Sequence, residues 1–550
     1  MCGIALILSG IRLDLSSLLL DSPSPPPPKA ELTTSTSHSN LEHWPSFSLD
    51  DLKSALRRRG PDSLAAKKLT LQSKVSTSNG QEELVSAMED ENSANGDNSE
   101  LESDSVAELH FIGATLQLRG LSPVVQPFVD SSGNILIYNG EVFGGINVGT
   151  DNNDGLILMQ MLGKCCSCRS SSGGHTDRCV SIGNGRSSVP NVLSVIKGPW
   201  AIIYWQDSSR TLWFGRDAFG RRSLLVHWPT LKDSRFLLSS VSPFSCAEQS
   251  SGMEIDNRKP GFWEELSCGV CSLMIDASKL DGGLVGEARK HKWTNFMLTE
   301  LINWDRASVE PEPKMEEHNL HLAPSDTGSL AAQNVLLALR KSLMLRTSLH
   351  AIFPGFRHDD SEDELVPVAI LFSGGLDSMI LAALLDECLD PRYGIDLLNV
   401  SFDGQSAPDR ISARAGVEEL RRIAPFRRWK LVEIDAELSN LTLELKHVMS
   451  LIKPANTYMD LNIGIALWLA ARGNGWVNKG SSSRNDDNQQ SFMYNSKARI
   501  VLVGSGADEQ CAGYGRHRTK YRCGRYCNQM DYVFLHFQFG MCGGSCIVLF

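Results

Sequence analysis

The chain has 550 residues, 42% of them hydrophobic and 21% charged, with a formal net charge of -11. That length exceeds what one hydrophobic core usually serves, so two or more domains are expected. An acidic balance without a basic block argues against a nucleic-acid partner, while leaving anionic small molecules held by local sites.

The apolar start, MCGIALILSGIRLDLSSLLL, has no basic leading segment and is interrupted by Arg12 and Asp14. It reads as a strand and its continuation rather than as a signal peptide. No run reaches the eighteen or so uncharged apolar residues that a membrane-crossing helix needs, so a soluble, cytoplasmic protein with no membrane partner is expected. Runs with strand spacing and turn punctuation follow at Ile4 to Leu8, Glu108 to Leu118, Asn134 to Tyr138, Trp200 to Trp205, Thr211 to Gly215 and Phe236 to Ser240. Residues 21–40, 76–105 and 165–190 are rich in Pro, Ser, Asn, Gly or acids and read as solvated insertions, as do 478–495 further on. Residues 276–329, charged and Pro-bearing near Glu310 to Lys314, read as a linker.

From about Ala331 the pattern changes. Ala331 to Leu345 and Met379 to Leu389 have helical periodicity, and Val366 to Phe372 is a buried-strand run. Alternation continues through Leu397 to Phe402, Ala413 to Arg422, Trp429 to Ile434 and Ile500 to Val503, which predicts a parallel α/β sheet. The fourteen cysteines fall in scattered groups. Cys268 and Cys271 form a lone CxxC inside an apolar stretch, which favours packed thiols over a zinc site.

An N-terminal cysteine can use its own α-amino group as general base, because that amine has an ordinary pKa of about 7.7–8.0 and lies within reach of the thiol. Removal of Met1 would expose Cys2 in this way, although a second-position cysteine is by itself most often just a residue. Arg57, Arg58 and Arg59 lead into Gly60, Pro61 and Asp62. That turn presents a guanidinium suited to a carboxylate, or is simply a solvated basic turn. Tyr138, Asn139, Gly140 and Glu141 end a strand, where an Asn amide beside a Gly N–H suits an oxyanion hole, or forms a hairpin turn.

Taken in order, MCGIALI, RRRGPDS, QPF before ILIYNGEVF, GPWAIIYW and FGRDAFGRRSL resemble the amidotransferase glutaminase domains that begin with a catalytic cysteine. The resemblance spans residues 2–275 and implies an α+β, N-terminal nucleophile sandwich with αββα layers. It implies Cys2 as nucleophile, Arg59 on the glutamine α-carboxylate, Asn139 and Gly140 as oxyanion hole, and Glu141 near the substrate. Asp154 would hold the α-amino group, with Leu156 where the family usually has a second carboxylate.

In the second half, Val366 to Phe372 runs into Ser373, Gly374, Gly375, Leu376, Asp377 and Ser378 ahead of a helix. Strand, glycine turn and helix start gather backbone N–H groups around an anion, which makes a pyrophosphate cradle without the Walker GK[ST] ending. VLVGSGADEQ is a second strand entering a glycine loop that ends in the paired acids Asp508 and Glu509, which could hold Mg²⁺, meet an amino group or cap a helix. SGGLDS with GSGADEQCAGYGRHR and SAPDRISARAGVEELRRIAPFRRWKLVEID resembles the asparagine synthetase domain-containing proteins. Over 330–520 this implies an α/β PP-loop domain using ATP and Mg²⁺. Phe372, Ser373 to Ser378, Val400 and Val503, Gly504, Ser505 and Gly506 would contact ATP, and Asp377 and Asp508 the metal. The whole would take glutamine, aspartate and ATP and yield asparagine, glutamate, AMP and pyrophosphate, and a homodimer is one assembly it allows. Residues 521–550 do not resemble the family, which suggests an incomplete second domain. A catalytically impaired regulatory member, or an amidotransferase with another acceptor, stays open.

Overall fold

Alternation in GIALILS turns Ile4, Leu6 and Leu8 to one face, and the segment forms β1 (Gly3–Ser9), a central strand of its sheet. This computed structural model describes residues 2–19, 48–75, 82–90, 106–166, 187–231, 233–243, 262–277, 283–303, 326–347, 365–436, 441–455, 457–478, 491–508, 513, 515 and 546–549. They divide into two units, Met1–Thr299 with Met449–Asn456, and Glu300–Val448 with Thr457–Phe550.

In the first unit β1 is followed by β2 (Ile11–Asp14), α1 (Ser16–Leu19), α2 (Leu49–Arg57), β3 (Ser63–Val75), β4 (Glu82–Asp90), β5 (Val106–Thr115), β6 (Phe128–Val129) and β7 (Ile135–Gly140). Next come α3 (Asp154–Leu162), α4 (Val189–Val195), β8 (Trp200–Gln206), β9 (Thr211–Arg216), β10 (Leu225–His227), β11 (Phe236–Ser239), β12 (Glu264–Glu265), β13 (Gly269–Ala277) and β14 (Leu284–His291). One sheet runs β12-β10-β11-β1-β5-β3-β4 and the other β2-β14-β13-β9-β8-β7-β6. Their inner faces share one core, with Ile4, Leu6 and Phe111 from the first and Ile137, Ile203 and Phe214 from the second.

The outer faces are covered by helices. A Cβ on Gly3 would lie 2.7 Å from the Leu56 carbonyl oxygen, so glycine lets α2 press against β1, where Leu52 and Leu56 are buried. Ser48 and Asp51 form a reciprocal capping box that starts this helix. Leu158 and Leu162 of α3 and Val192 and Leu193 of α4 pack on Leu136, Tyr138, Ile202 and Tyr204. The layers are therefore helix, sheet, sheet, helix.

After α5 (Phe296–Ile302) and α6 (Asp326–Thr347), the chain continues with β15 (Val368–Leu371), α7 (Leu376–Cys388), β16 (Ile395–Ser401), α8 (Pro408–Ile423) and β17 (Trp429–Asp435). It goes on through α9 (Thr442–Ile452), α10 (Tyr458–Arg472), β18 (Asn474–Asn478), β19 (Ser491–Asn495), β20 (Ile500–Val503) and β21 (Cys546–Leu549). The sheet order is β19-β18-β17-β16-β15-β20-β21, parallel from β17 to β21 and antiparallel at β18 and β19.

Several boundaries differ from the sequence expectation. Residues 82–90, expected within a solvated insertion, pair with β3 as an edge strand, where acids tolerate solvent while Met88 packs on the core. The first unit runs past 275: β13 ends at Ala277, and β14 buries Leu284, Gly286 and Ala288 by alternation although its sequence carries three charges among them and after. Ser491–Asn495, expected as loop, is a strand, and Cys546–Leu549 of the expected non-family tail pairs in parallel with β20. The expected insertions at 21–40, 91–105 and 167–186, and residues 516–545, lie outside the described residues.

Candidate active site

Side chains alternate along a strand, so Cys2, two positions before Ile4, stands at the end of the face that β1 turns to the core. Asn139, two after Ile137, stands on the core face of β7, which packs near β1 across the sandwich. The Cys2 thiol lies 3.5 Å from the Leu116 N–H and 3.7 Å from its carbonyl oxygen. Burial pushes this thiol's pKa up, partly offset by the chain's α-ammonium and the Leu116 hydrogen bond, while Asp154 and Glu141 push it further. The group is a thiol rather than a ready thiolate, and needs a base to attack.

Cys2 opens into a pocket of about 330 Å³, counting its mouth, lined also by Gln117, Arg119, Gln126, Tyr138, Gly140, Glu141 and Asp154. The loop after β5 carries Arg119 into it. Gln117 holds that loop, accepting from Val124 N–H at 2.9 Å and donating to the carbonyls of Arg119 and Ser122 at 3.0 and 2.8 Å. Arg119 Nε meets Glu141 Oε2 at 2.9 Å, and both side chains are mostly buried. Asn153 caps α3, and the next residue, Asp154, takes the N–H groups of Val142 and Gly155 at 3.0 Å each. Burial, then the neighbouring Glu141, raises the Asp154 carboxyl to about 7, against the pull of Arg119. Asn139 is fully buried, and neither its amide nitrogen nor its oxygen has a hydrogen-bond partner among the described residues.

Asn139 is not among the residues that line this pocket, and neither is the sequence-expected Arg59. Arg59 is buried, donates to Ser223 Oγ at 2.8 Å, and burial together with Arg222 lowers its pKa to about 9. Its motif shapes the pocket indirectly. A Cβ on Gly60 would come within 2.1 Å of Ala114, and Asp62 Oδ2 takes the Gln117 N–H at 2.8 Å, so the turn holds the root of the Arg119 loop. Sequence reasoning missed Arg119, whose only signal was a lone arginine just past the apolar run ending at Leu118. The Gly215-Arg216-Asp217 corner is likewise supportive: Asp217 takes the N–H groups of Trp200, Phe219 and Arg221.

In the second unit, β15 is the first strand of its sheet, with β16 on one side and β20 on the other. Strand order reverses there, and the crevice at the strands' carboxyl ends is where open α/β sheets bind ligands. Ser373 to Gly375 and Gly504 to Gly506 leave those ends as loops, Leu376 to Ser378 open α7, and Val400 and Val503 stand near the ends of β16 and β20. A Cβ on Gly504 would lie 2.9 Å from Asp377 Cβ, so the two glycine loops touch. Gly375 caps α7 with no side chain, leaving the helix start open to an anion, while Leu376 is 76% exposed. Phe372 is instead buried, its carbonyl taking Asn399 Nδ2 at 2.8 Å. Burial and the nearby Asp508 raise the Asp377 carboxyl, a repulsion that a hard divalent cation would relieve, so the pair fits Mg²⁺. No cluster of three or more His, Cys, Asp or Glu able to hold a metal occurs among the described residues, and none of their helices is long and apolar enough to cross a membrane. Gly374 has φ +75 and a Cβ there would meet Ser412 O at 2.3 Å. Gly374→Ala should therefore cost about 1–3 kcal/mol in a denaturant titration.

No protein-family model matches the chain. It is 31% identical over 495 residues to asparagine synthetase domain-containing protein 1 of Mus musculus, covering 75% of this chain and 73% of that protein. To the protein of the same name from Gallus gallus it is 29% identical over 565 residues, 86% of this chain and 78% of the other. To that of Homo sapiens it is 28% identical over 512 residues, 77% and 74%. A solved glutamine phosphoribosylpyrophosphate amidotransferase from B. subtilis, complexed with ADP and GMP, aligns with 83% of this chain and 94% of its own. Its 12% identity and TM-score of 0.27 carry no argument.

Proposed function

Because the chain belongs to the asparagine synthetase domain-containing protein family, we propose that its first unit hydrolyses glutamine and its second uses the ammonia in an ATP-dependent amidation. The observation that carries the first half is the joining of a thiol, Cys2, with a guanidinium and two carboxylates in one pocket. Arg119 pairs with the α-carboxylate and Asp154 with the α-ammonium, which together recognise a free amino acid. Glu141, bonded to Arg119, orients it. These assignments give Arg119 the role that the sequence motif suggested for Arg59.

The Cys2 sulfur attacks the side-chain amide carbon as the α-amine, exposed by loss of Met1, takes the thiol proton. A C–S bond forms, and the Asn139 side-chain N–H and the Gly140 backbone N–H hold the oxyanion. The amine returns the proton to the leaving nitrogen, the C–N bond breaks, and ammonia departs. Water then opens the thioester to give glutamate. The buried Asn139 amide without a partner supports this reading, since a preorganised donor is held for a charge that develops only during reaction.

In the second unit the ATP phosphates lie against the start of α7 and the Ser373 to Ser378 turn, with Val400 and Val503 to Gly506 around the nucleotide. Asp377 and Asp508 would hold Mg²⁺, which supplies charge neutralisation to the phosphates. The relatives' name makes aspartate the proposed acceptor, giving asparagine, AMP and pyrophosphate. The test is glutamate release by the purified full chain with glutamine, with and without ATP and aspartate. Glutamate in both, and aspartate-dependent AMP in the second, is expected; no glutamate in either overturns the proposal.

A further inference from the structure

Tyr138 has no part in the steps above, yet it lines the same pocket. It is 3% exposed, and its hydroxyl has no hydrogen-bond partner among the described residues. Its placement is built. The backbone N–H donates to Gln126 Oε1 at 2.7 Å, and a Cβ on Gly140 would come within 2.6 Å of both Cζ and Oη. Glycine at 140 thus makes room for the ring. The carboxylates nearest to it are already engaged, Glu141 by Arg119 and Asp154 by two backbone N–H groups. Burial, and after it Asp154 and Glu141, keep the hydroxyl protonated well above its ordinary range. It is a neutral donor that makes no hydrogen bond to any acceptor among the described residues.

Folded proteins rarely keep a buried donor unpaired, and where they do the group commonly serves a ligand. Resting on the glutamine reading, we propose that the Tyr138 hydroxyl donates to the α-carboxylate of the bound glutamine, beside Arg119, and is a specificity-determining residue of the pocket. The chemistry selects that oxygen. Glutamine offers acceptors only at its carboxylate and its carboxamide oxygen, and the second falls to Asn139 and Gly140.

Tyr138→Phe keeps the ring and removes the hydroxyl. With Cys2→Ala as parent, to leave the ligand intact, glutamine affinity measured by calorimetry should weaken roughly tenfold. The ligand-free melting temperature should rise by about 2–4 °C, because an unpaired buried polar group is lost. Tyr204→Phe is the control: that hydroxyl is also buried without a partner but lies in the core under α3 and outside the pocket, so affinity should not change. Parent-like binding by Tyr138→Phe overturns the contact and leaves the glutamine reading standing. An equal loss in Tyr204→Phe also overturns it, as a packing effect. A parent that binds no glutamine overturns the glutamine reading, and the contact with it.

Discussion

Cys2→Ala protein should release no glutamate from glutamine above background, a loss of roughly 10⁴-fold or more. The alanine occupies the same place at the head of β1, and no other cysteine among the described residues lines the pocket to replace it. Far-ultraviolet circular dichroism and melting temperature should stay close to wild type, because the thiol's hydrogen-bond contacts among the described residues are two weak ones to Leu116. Since burial keeps the Cys2 thiol protonated, attack depends on a base. Active protein recovered from its native host should therefore lack Met1 by intact-mass measurement. Undiminished glutamate release from Cys2→Ala would remove this residue from the reaction.

The second large effect is carried by Asp154. Its carboxyl sits near 7 in the folded protein, against an ordinary value of 3.8. Below about 7 it is neutral and no longer holds an α-ammonium, so this ionisation should lower kcat/KM for glutamine about tenfold per pH unit on the acid side. Asp154→Asn should lower kcat/KM by roughly 10²-fold at pH 8 and remove one of two ionisations from the acid side, leaving that of the Cys2 α-amine. An acid side of unchanged steepness in Asp154→Asn would assign the second ionisation to another group. Stability has the opposite sign. Because the folded pKa of this acid is raised, the folded state binds the proton more tightly. Its contribution is present below 3.8 and is lost as pH rises from 3.8 to about 7. Glutamine should counter this loss by binding the ionised form, which a thermal-shift series in pH with and without ligand would read.

The ordered motifs, more than the composition, made the site readable. Alternation in GIALILS and ILIYNGE put Cys2 and Asn139 at strand ends, and the strand-to-glycine-to-helix order of VAILFSGGLDS predicted the turn that the structure has. What alternation could not reveal was which arginine enters the pocket. RRRGPD offered three guanidiniums in a turn, whereas Arg119 stood alone in LQLRG. The choice depended on Asp62 and Gln117 folding one loop over another across 55 positions of sequence. In the same way β4, β14 and β19 were hidden by their charges and polar neighbours. Edge strands and half-exposed strands keep polar residues on one face, and only pairing partners distant in sequence reveal them.

The sequence by itself determined the two kinds of sheet, the cysteine at the head of the first strand, the two glycine loops and the family resemblance. These depend on local period, turn chemistry and motif order, each legible within a dozen or so residues. The tertiary structure alone decided that Arg119 and not Arg59 lines the Cys2 pocket, that Asp154 is buried enough to titrate near neutrality, and that the Tyr138 hydroxyl there has no partner among the described residues. Those properties arise from desolvation and from contacts between segments far apart in the chain, and neither is written in any one segment.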